Sequence, residues 1–435
     1  MKYWLFLLAA ILLLTATPER TAAQNSWLSD AERARFETLR RSGLDALYDL
    51  DYEKARREFG EIARLFPNHP AGSQLLAARL WVKTLYESRR LQTSLYSSDS
   101  FYTRGDDKVD PKIVAEFRAL TRESKRLAEA RLKVNPKDVE AFEFLGATAG
   151  LKASFEEAVE RRHFAAIKDG SEAVDRYRDV LKIDPNYVDA QLPIGLYDYV
   201  VGALPLPQKI LAGIAGYRGS KKRGLAALER VAKEGRWSND DAKSLLILLY
   251  SREQRFADAL AVARELSAKY PRNYLFRLET ADALVSYASQ QRKAGNQTGA
   301  AQAEQEAFKT FDDLLRDRTV KETVSKALDL VHFKYGEVLL TAGQGERAAA
   351  EFIAVIKVDG AEPTLVTMSH LYAARALDLA GKRNDAMSHY RQVLSRPDIF
   401  DAHDGAKKGL REPYRTEVRQ ASNSAPRSNA REQER

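Results

Sequence analysis

The chain has 435 residues, 44% apolar and 30% charged, with a formal charge of +8, a balance suited to amphipathic helices and not to a fibrous or low-complexity chain. It contains no cysteine, which excludes disulfide stapling, thiolate metal sites, a Cys nucleophile and a lipidated N-terminal cysteine. Stability must come from helix packing alone, and a chain this long can bury enough apolar surface for that.

Lys2 precedes an apolar run over residues 3–17 and a short polar stretch ending in Thr21-Ala22-Ala23. A basic start, an apolar core and a small-x-small exit predict a secretory signal peptide over residues 1–23, cut after Ala23. The run falls short of the roughly 20 residues a membrane span needs. The rival reading is a retained anchor, which Glu19 and Arg20 beside the cleavage point keep open. No second run of comparable apolarity follows, so a soluble remainder is expected, periplasmic or secreted, most simply in a bacterial envelope.

Ser29 and Glu32 have the spacing of a capping box at the head of a helix. Next comes Phe36–His69, a 34-residue unit in which Gly43 and Ala55 stand where two helices approach, Phe59 follows Ala55 by one turn, and Pro67 closes the unit. This spacing resembles the tetratricopeptide repeat, and the resemblance implies an all-α fold, an α-solenoid of tandem helix–turn–helix repeats over residues 24–411. In chain order, helices are expected over 73–90, from Pro111 to the closing Asn135-Pro136, over 139–151 with helical sequence continuing through Lys168, over 172–182 and over 189–200. An aromatic insertion spans 91–110. Two prolines and several glycines make 202–239 irregular. Units with the repeat spacing return at 240–271, 329–358 and 367–397, with a further pair over 274–315. A terminal helix over 402–411 closes the stack, and 412–435 reads as a disordered polar tail.

The stretch GLYDYVVGALPLPQKILAGIAGYRGSKKRGLAALERV, residues 195–231, is similar to the Gly-x-Tyr, Pro-rich element of the eukaryotic inclusion-body clearance family of tetratricopeptide proteins. That likeness implies association with other proteins or lipid bodies, and no reaction.

Chemistry finds little support. None of the six histidines has a partner at i,i+4, and no His-Glu-x-x-His motif occurs. The compact cluster Asp401-Ala402-His403-Asp404 reads as the acidic first turn of a helix, not as a metal site. No Gly-x-Ser-x-Gly elbow or phosphate loop is present. The expectation is therefore a non-catalytic chain with no cofactor and no metal. Charges of both signs alternate along most helices, and the Lys221-Lys222-Arg223 cluster lacks interleaved aromatics, so no nucleic-acid partner is expected.

In tetratricopeptide proteins, positions 5, 9, 12 and 13 of each first helix line the concave face. The resemblance places there Arg40, Leu44, Leu47 and Tyr48; Ser244, Leu248, Ser251 and Arg252; Phe333, Glu337, Leu340 and Thr341; and Leu371, Arg375, Asp378 and Leu379. The Lys and Asn that clamp a terminal carboxylate in chaperone-type repeats are absent. A mixed apolar and aromatic surface is left, suited to a protein partner presenting a peptide or helix in the envelope. Tyr48, Trp81, Tyr96 and Tyr102 are the expected anchors, with Leu44 and Arg375 beside them. Two other readings stand next to this scaffold: a hydrolase or metal-dependent enzyme built on the solenoid, and a carrier of apolar ligands.

Overall fold

The computed structural model describes residues 27–88, 91, 109–160, 162–214, 218–318, 324–325 and 327–415. The proposed signal peptide, Tyr96, Tyr102 and most of the 91–110 insertion lie outside the described residues. The chain divides into two compact units, one formed by residues 1–47, 51–81 and 109–193, the other by 48–50, 82–108 and 194–435. Among the described residues there is no strand. No described helix is long and apolar enough to cross a membrane.

The first unit holds α1 (Asp30–Tyr48, its last residue excepted), α2 (Tyr52–Leu65), the start of α3 (Ala71–Glu87), α4 (Pro111–Val134), α5 (Val139–Phe155) and α6 (His163–Ile183). The capping box forms: the Ser29 amide donates to Glu32 Oε2 at 2.8 Å, and the Glu32 amide reaches back to Ser29 Oγ. Asp110 caps α4 ahead of Pro111, which takes the first turn, where its missing N–H costs nothing. Between α5 and α6 the chain makes a π-helical turn, Glu156–Glu160. α6 begins at His163, nine residues before the expected 172. Residues 155–171 hold no proline to mark a helix break, so the π-turn has no signature in the sequence.

The second unit continues with most of α7 (Gln191–Ala203), then α8 (Leu206–Ile214), α9 (Lys221–Glu234), α10 (Asn239–Arg252), α11 (Phe256–Lys269), α12 (Tyr274–Lys293) and α13 (Gln297–Arg316). It ends with α14 (Leu328–Thr341), α15 (Gly345–Ile356), α16 (Pro363–Leu379), α17 (Arg383–Leu394) and α18 (Ala402–Arg411). The stretch 202–239 is more regular than its composition suggests. α7 and α9 are a packed pair: a Cβ on Gly195 would stand 3.0 Å from Ala227, and one on Gly224 would strike Tyr199. Only α8 departs from the alternation, as a short helix carried in the connection between them.

The repeat register is visible in burial. Ala55, Ala259, Ala348 and Ala386, at one position of four repeats, are all fully buried, as are Ile62, Leu266, Val355 and Val393 seven residues later. Glycine is needed where a first helix meets an aromatic of the second. A Cβ on Gly336 would lie 2.7 Å from the Phe352 ring, and one on Gly43 would run into Phe59. Each unit is thus an α-solenoid of tetratricopeptide-like helix pairs.

Candidate functional site

The four expected lining rows separate by burial. Leu47, Phe333, Leu340 and Leu371, at positions 5 and 12, are core residues, whereas Ser244 and Ser251 at the same positions are only partly buried. Phe333 meets Phe352 edge-on at 5.3 Å and Tyr372 at 5.6 Å, so its ring fills the gap between one helix pair and the next. Arg40 is buried, with Nη2 3.0 Å from Glu143. The Asp378 side chain is fully enclosed and takes Arg383 Nη1 at 2.9 Å, the Tyr390 hydroxyl at 2.9 Å and the Tyr414 amide at 2.8 Å. Tyr414, inside the stretch read as a polar tail, is thereby tied to α16. Positions 9 and 13 stay at least partly accessible: Leu44 in the first unit, and Tyr48, Leu248, Arg252, Glu337, Thr341, Arg375 and Leu379 in the second.

Tyr48 sits in an aromatic cluster of the second unit. Its ring stacks on Tyr270 at 5.1 Å, its hydroxyl donates to Asp241, and Asn273 Nδ2 donates to its carbonyl at 2.6 Å. Burial first, and then the Asp241 charge, push the phenol well above its ordinary pKa, so the group stays a donor. Tyr86 lies edge-on to Tyr274 nearby in the chain of contacts, at 6.4 Å. Tyr86, Tyr270, Tyr274 and Asp241 escaped the sequence reading because their partners are far along the chain, and single aromatics on helices read as core.

Trp81 does something else. It is partly buried and packs on the cluster of Ala77, Leu80, Phe117, Leu151 and Phe155 of the first unit. Arg375 is half-buried, its guanidinium over Tyr372 at 5.0 Å and Tyr414 at 5.5 Å, beside Gly405 of α18. It is held by its own chain at the C-terminal end of the second unit. Tyr96 and Tyr102 lie outside the described residues.

The remaining polar clusters are internally paired. Arg131 grips Asp138 at 2.9 and 3.2 Å and Glu140 at 2.9 Å, while Arg33 reaches Glu140 at 2.9 Å. Burial works to raise the Glu140 carboxyl, yet His69 and the two arginines together hold it well below the carboxylate range. Burial pushes His69 itself down, so near neutral pH the arginines carry that pairing. At the π-turn a recess of about 220 Å³ is edged by Arg118, Lys152, Glu156, Glu160 and Arg162. Arg118 bonds Glu160 at 2.5 Å and Lys152 bonds Asp169 at 2.7 Å. Glu156 is pushed up by burial and by Asp169.

His370 and His389, far apart in sequence, meet at 3.0 Å between Nδ1 atoms on α16 and α17. The same two repeat positions pair His332 with Glu351 at 2.7 Å on α14 and α15. At the last helix, Asp401 adopts a left-handed conformation and its side chain makes no cap bond; Asp398 takes the His403 amide instead, at 3.0 Å. Among the described residues, no group of three or more His, Asp or Glu side chains is arranged to hold a metal ion.

No family model and no curated relative matches the chain. Solved structures do resemble it at low identity. A human IFIT1 dimer with m7Gppp-AAAA is 15% identical with a TM-score of 0.42, covering 89% of this chain and 86% of that one. Yeast Tom70 is 12% identical with a TM-score of 0.34, covering 88% of each chain. The C-terminal part of a TPR repeat-containing protein from Cytophaga hutchinsonii is 14% identical with a TM-score of 0.31, covering 84% of this chain and 98% of that one. At these scores the chain is similar to helical-repeat proteins in general arrangement, and nothing about partners follows.

Proposed function

We propose that the chain is a non-catalytic scaffold that takes a peptide or helix from a protein partner, working after export as part of a cell-envelope complex. One observation carries the reading. Rows 9 and 13 of the first helices stay at least partly accessible while most of rows 5 and 12, Ser244 and Ser251 excepted, are used up in packing, which leaves a discontinuous strip of apolar, aromatic and charged side chains along the second unit. Tyr48, Leu248, Glu337 and Arg375 mix apolar area with opposite charges, the combination that reads an amphipathic helix or extended peptide. Tyr48 is its aromatic anchor, held in one orientation by Tyr270 and Asp241. Export rests on the residue 1–23 signal pattern.

Crosslinking in the native envelope followed by capture tests both parts. The wild-type chain should retain a discrete partner that a Tyr48→Ala/Leu248→Ser variant loses. Equal capture by the two chains, or recovery of the protein only in the cytosol, would overturn the proposal.

A further inference from the structure

α8 is a helix left out in solvent. Leu206 is 72% exposed, Ile210 56% and Ile214 80%, and Val200 at the end of α7 is 49% exposed. These make half of the large apolar side chains exposed in this way among the described residues, gathered within fifteen positions. Leu206, Ile210 and Ile214 follow one another at intervals of four, so they form a single stripe along one side of the helix. Soluble chains seldom place such side chains together in water without a surface to receive them.

The charge around the stripe says which surface. Residues 199–228 contain no Asp or Glu, although the chain has 61 of them in 435 residues, and they carry five cations, Lys209, Arg218, Lys221, Lys222 and Arg223. Two of the five are engaged in ion pairs. Arg223 Nη2 bonds Asp198 at 2.6 Å, and Lys221 pairs with Glu253, which also takes the Tyr199 hydroxyl. Lys209 bonds the Gly202 carbonyl at 3.1 Å with its charge still exposed, and Arg218 and Lys222 are exposed as well. An apolar stripe with exposed cations on its own helix and just after it in sequence, and with every carboxylate cleared from that stretch of sequence, is the layout of a helix lying in the interface of an anionic bilayer. A protein partner would meet the stripe equally well but would leave the removal of acids without a purpose.

We propose that α8, through Leu206, Ile210 and Ile214 with Lys209 on the helix and Arg218 and Lys222 just after it in sequence, docks the protein on an anionic membrane surface. The inference does not depend on the peptide-binding strip. The docking is peripheral: nine residues of helix can seat in the headgroup region but cannot span the hydrocarbon.

The absence of cysteine permits a direct test in the full chain. An environment-sensitive fluorophore is placed on Ile210→Cys and, as a control, on Thr298→Cys, an exposed position at the start of α13. Vesicles of phosphatidylglycerol and phosphatidylethanolamine should blue-shift the label at 210 and leave the label at 298 unchanged, whatever the leader does. Phosphatidylcholine vesicles should give little shift at either site. Lys209→Glu/Arg218→Glu/Lys222→Glu in the Ile210→Cys background should weaken the response to anionic vesicles at least about tenfold, since each cation near such a surface contributes roughly fivefold. An equal response to zwitterionic vesicles, no response at 210, or survival of the shift in the charge-reversed chain would overturn the proposal. A shift at 210 that grows with protein concentration and needs no vesicle would assign the stripe to a second copy of the chain instead.

Discussion

Ala55 and Ala259 show how little room the repeat register leaves at the level of single side chains. Both are fully buried at the closest approach of paired helices. Leucine at either position adds volume that only backbone shifts or strained rotamers can accommodate, so each substitution should cost about 1–3 kcal/mol. Thermal melts of the two variants check this, and unchanged melting would show that the helices are paired in another register. The histidine pair of α16 and α17 makes a second residue-scale prediction. Burial, the neighbouring His389 and then Arg396 push His370 down to about 4, and burial also lowers His389, against the pull of Asp385. The unfolded imidazole titrates near its ordinary value of 6.5, so between pH 6.5 and 4 the unfolded chain binds more protons and stability rises with pH. The contribution is complete above pH 6.5 and is lost as pH falls toward 4, by about 1–2 kcal/mol once solvent screening of a partly wetted ring is allowed for. Denaturant midpoints measured across this window should fall with pH in the wild type and fall less in His370→Asn, which cannot charge.

At the level of elements, some of the helix ends were readable and some of the pairings were not. Asp138 illustrates the difference. The capping box of Ser29 and Glu32 was legible in its spacing, whereas the N-cap at Asp138, which accepts the Ala141 amide at 3.0 Å, was not singled out. Nothing in the local sequence says that the same carboxylate also closes a two-point bond with buried Arg131. Removing it leaves a cation in the interior with only Glu140 to answer it, and breaking such a pair is costly. Asp138→Ala should therefore lower stability by about 3 kcal/mol, with Asp138→Asn, which keeps the cap and loses the charge, falling between it and the wild type. Chemical denaturation of the two variants decides whether the cap or the ion pair dominates. The stretch 202–239 carries the same lesson. Its glycines and prolines read as breaks, but Gly202 and Gly224 are there to let α7 and α9 touch. A glycine that breaks a helix and one that admits a neighbour look alike until the neighbour is known.

For the molecule as a binding protein, Tyr48 and Trp81 had the same standing in the sequence and have opposite places in the structure. Tyr48→Ala should weaken partner affinity by about 2 kcal/mol, with little dependence on salt, because a large aromatic contributes through buried area. Trp81→Ala should leave affinity unchanged and lower the melting temperature, since its contacts are with the Phe117 and Phe155 cluster. Calorimetric titration of both variants with the captured partner, at low and high salt, separates these outcomes; steep salt dependence would instead favour a basic surface centred on Lys222 and Arg218. What the amino-acid sequence determined was the helix-pair alphabet: its capping residues, its small-residue contacts and its repeat spacing are local or one repeat apart, so they survive without knowledge of the fold. Only the tertiary structure decided which members of the four lining rows remain for a partner. Burial at most of positions 5 and 12 depends on the next helix pair, Tyr48 on residues about two hundred positions away, and the exposure of α8 on α7 pairing with α9. Those are contacts between distant segments, and no periodicity within a segment encodes them.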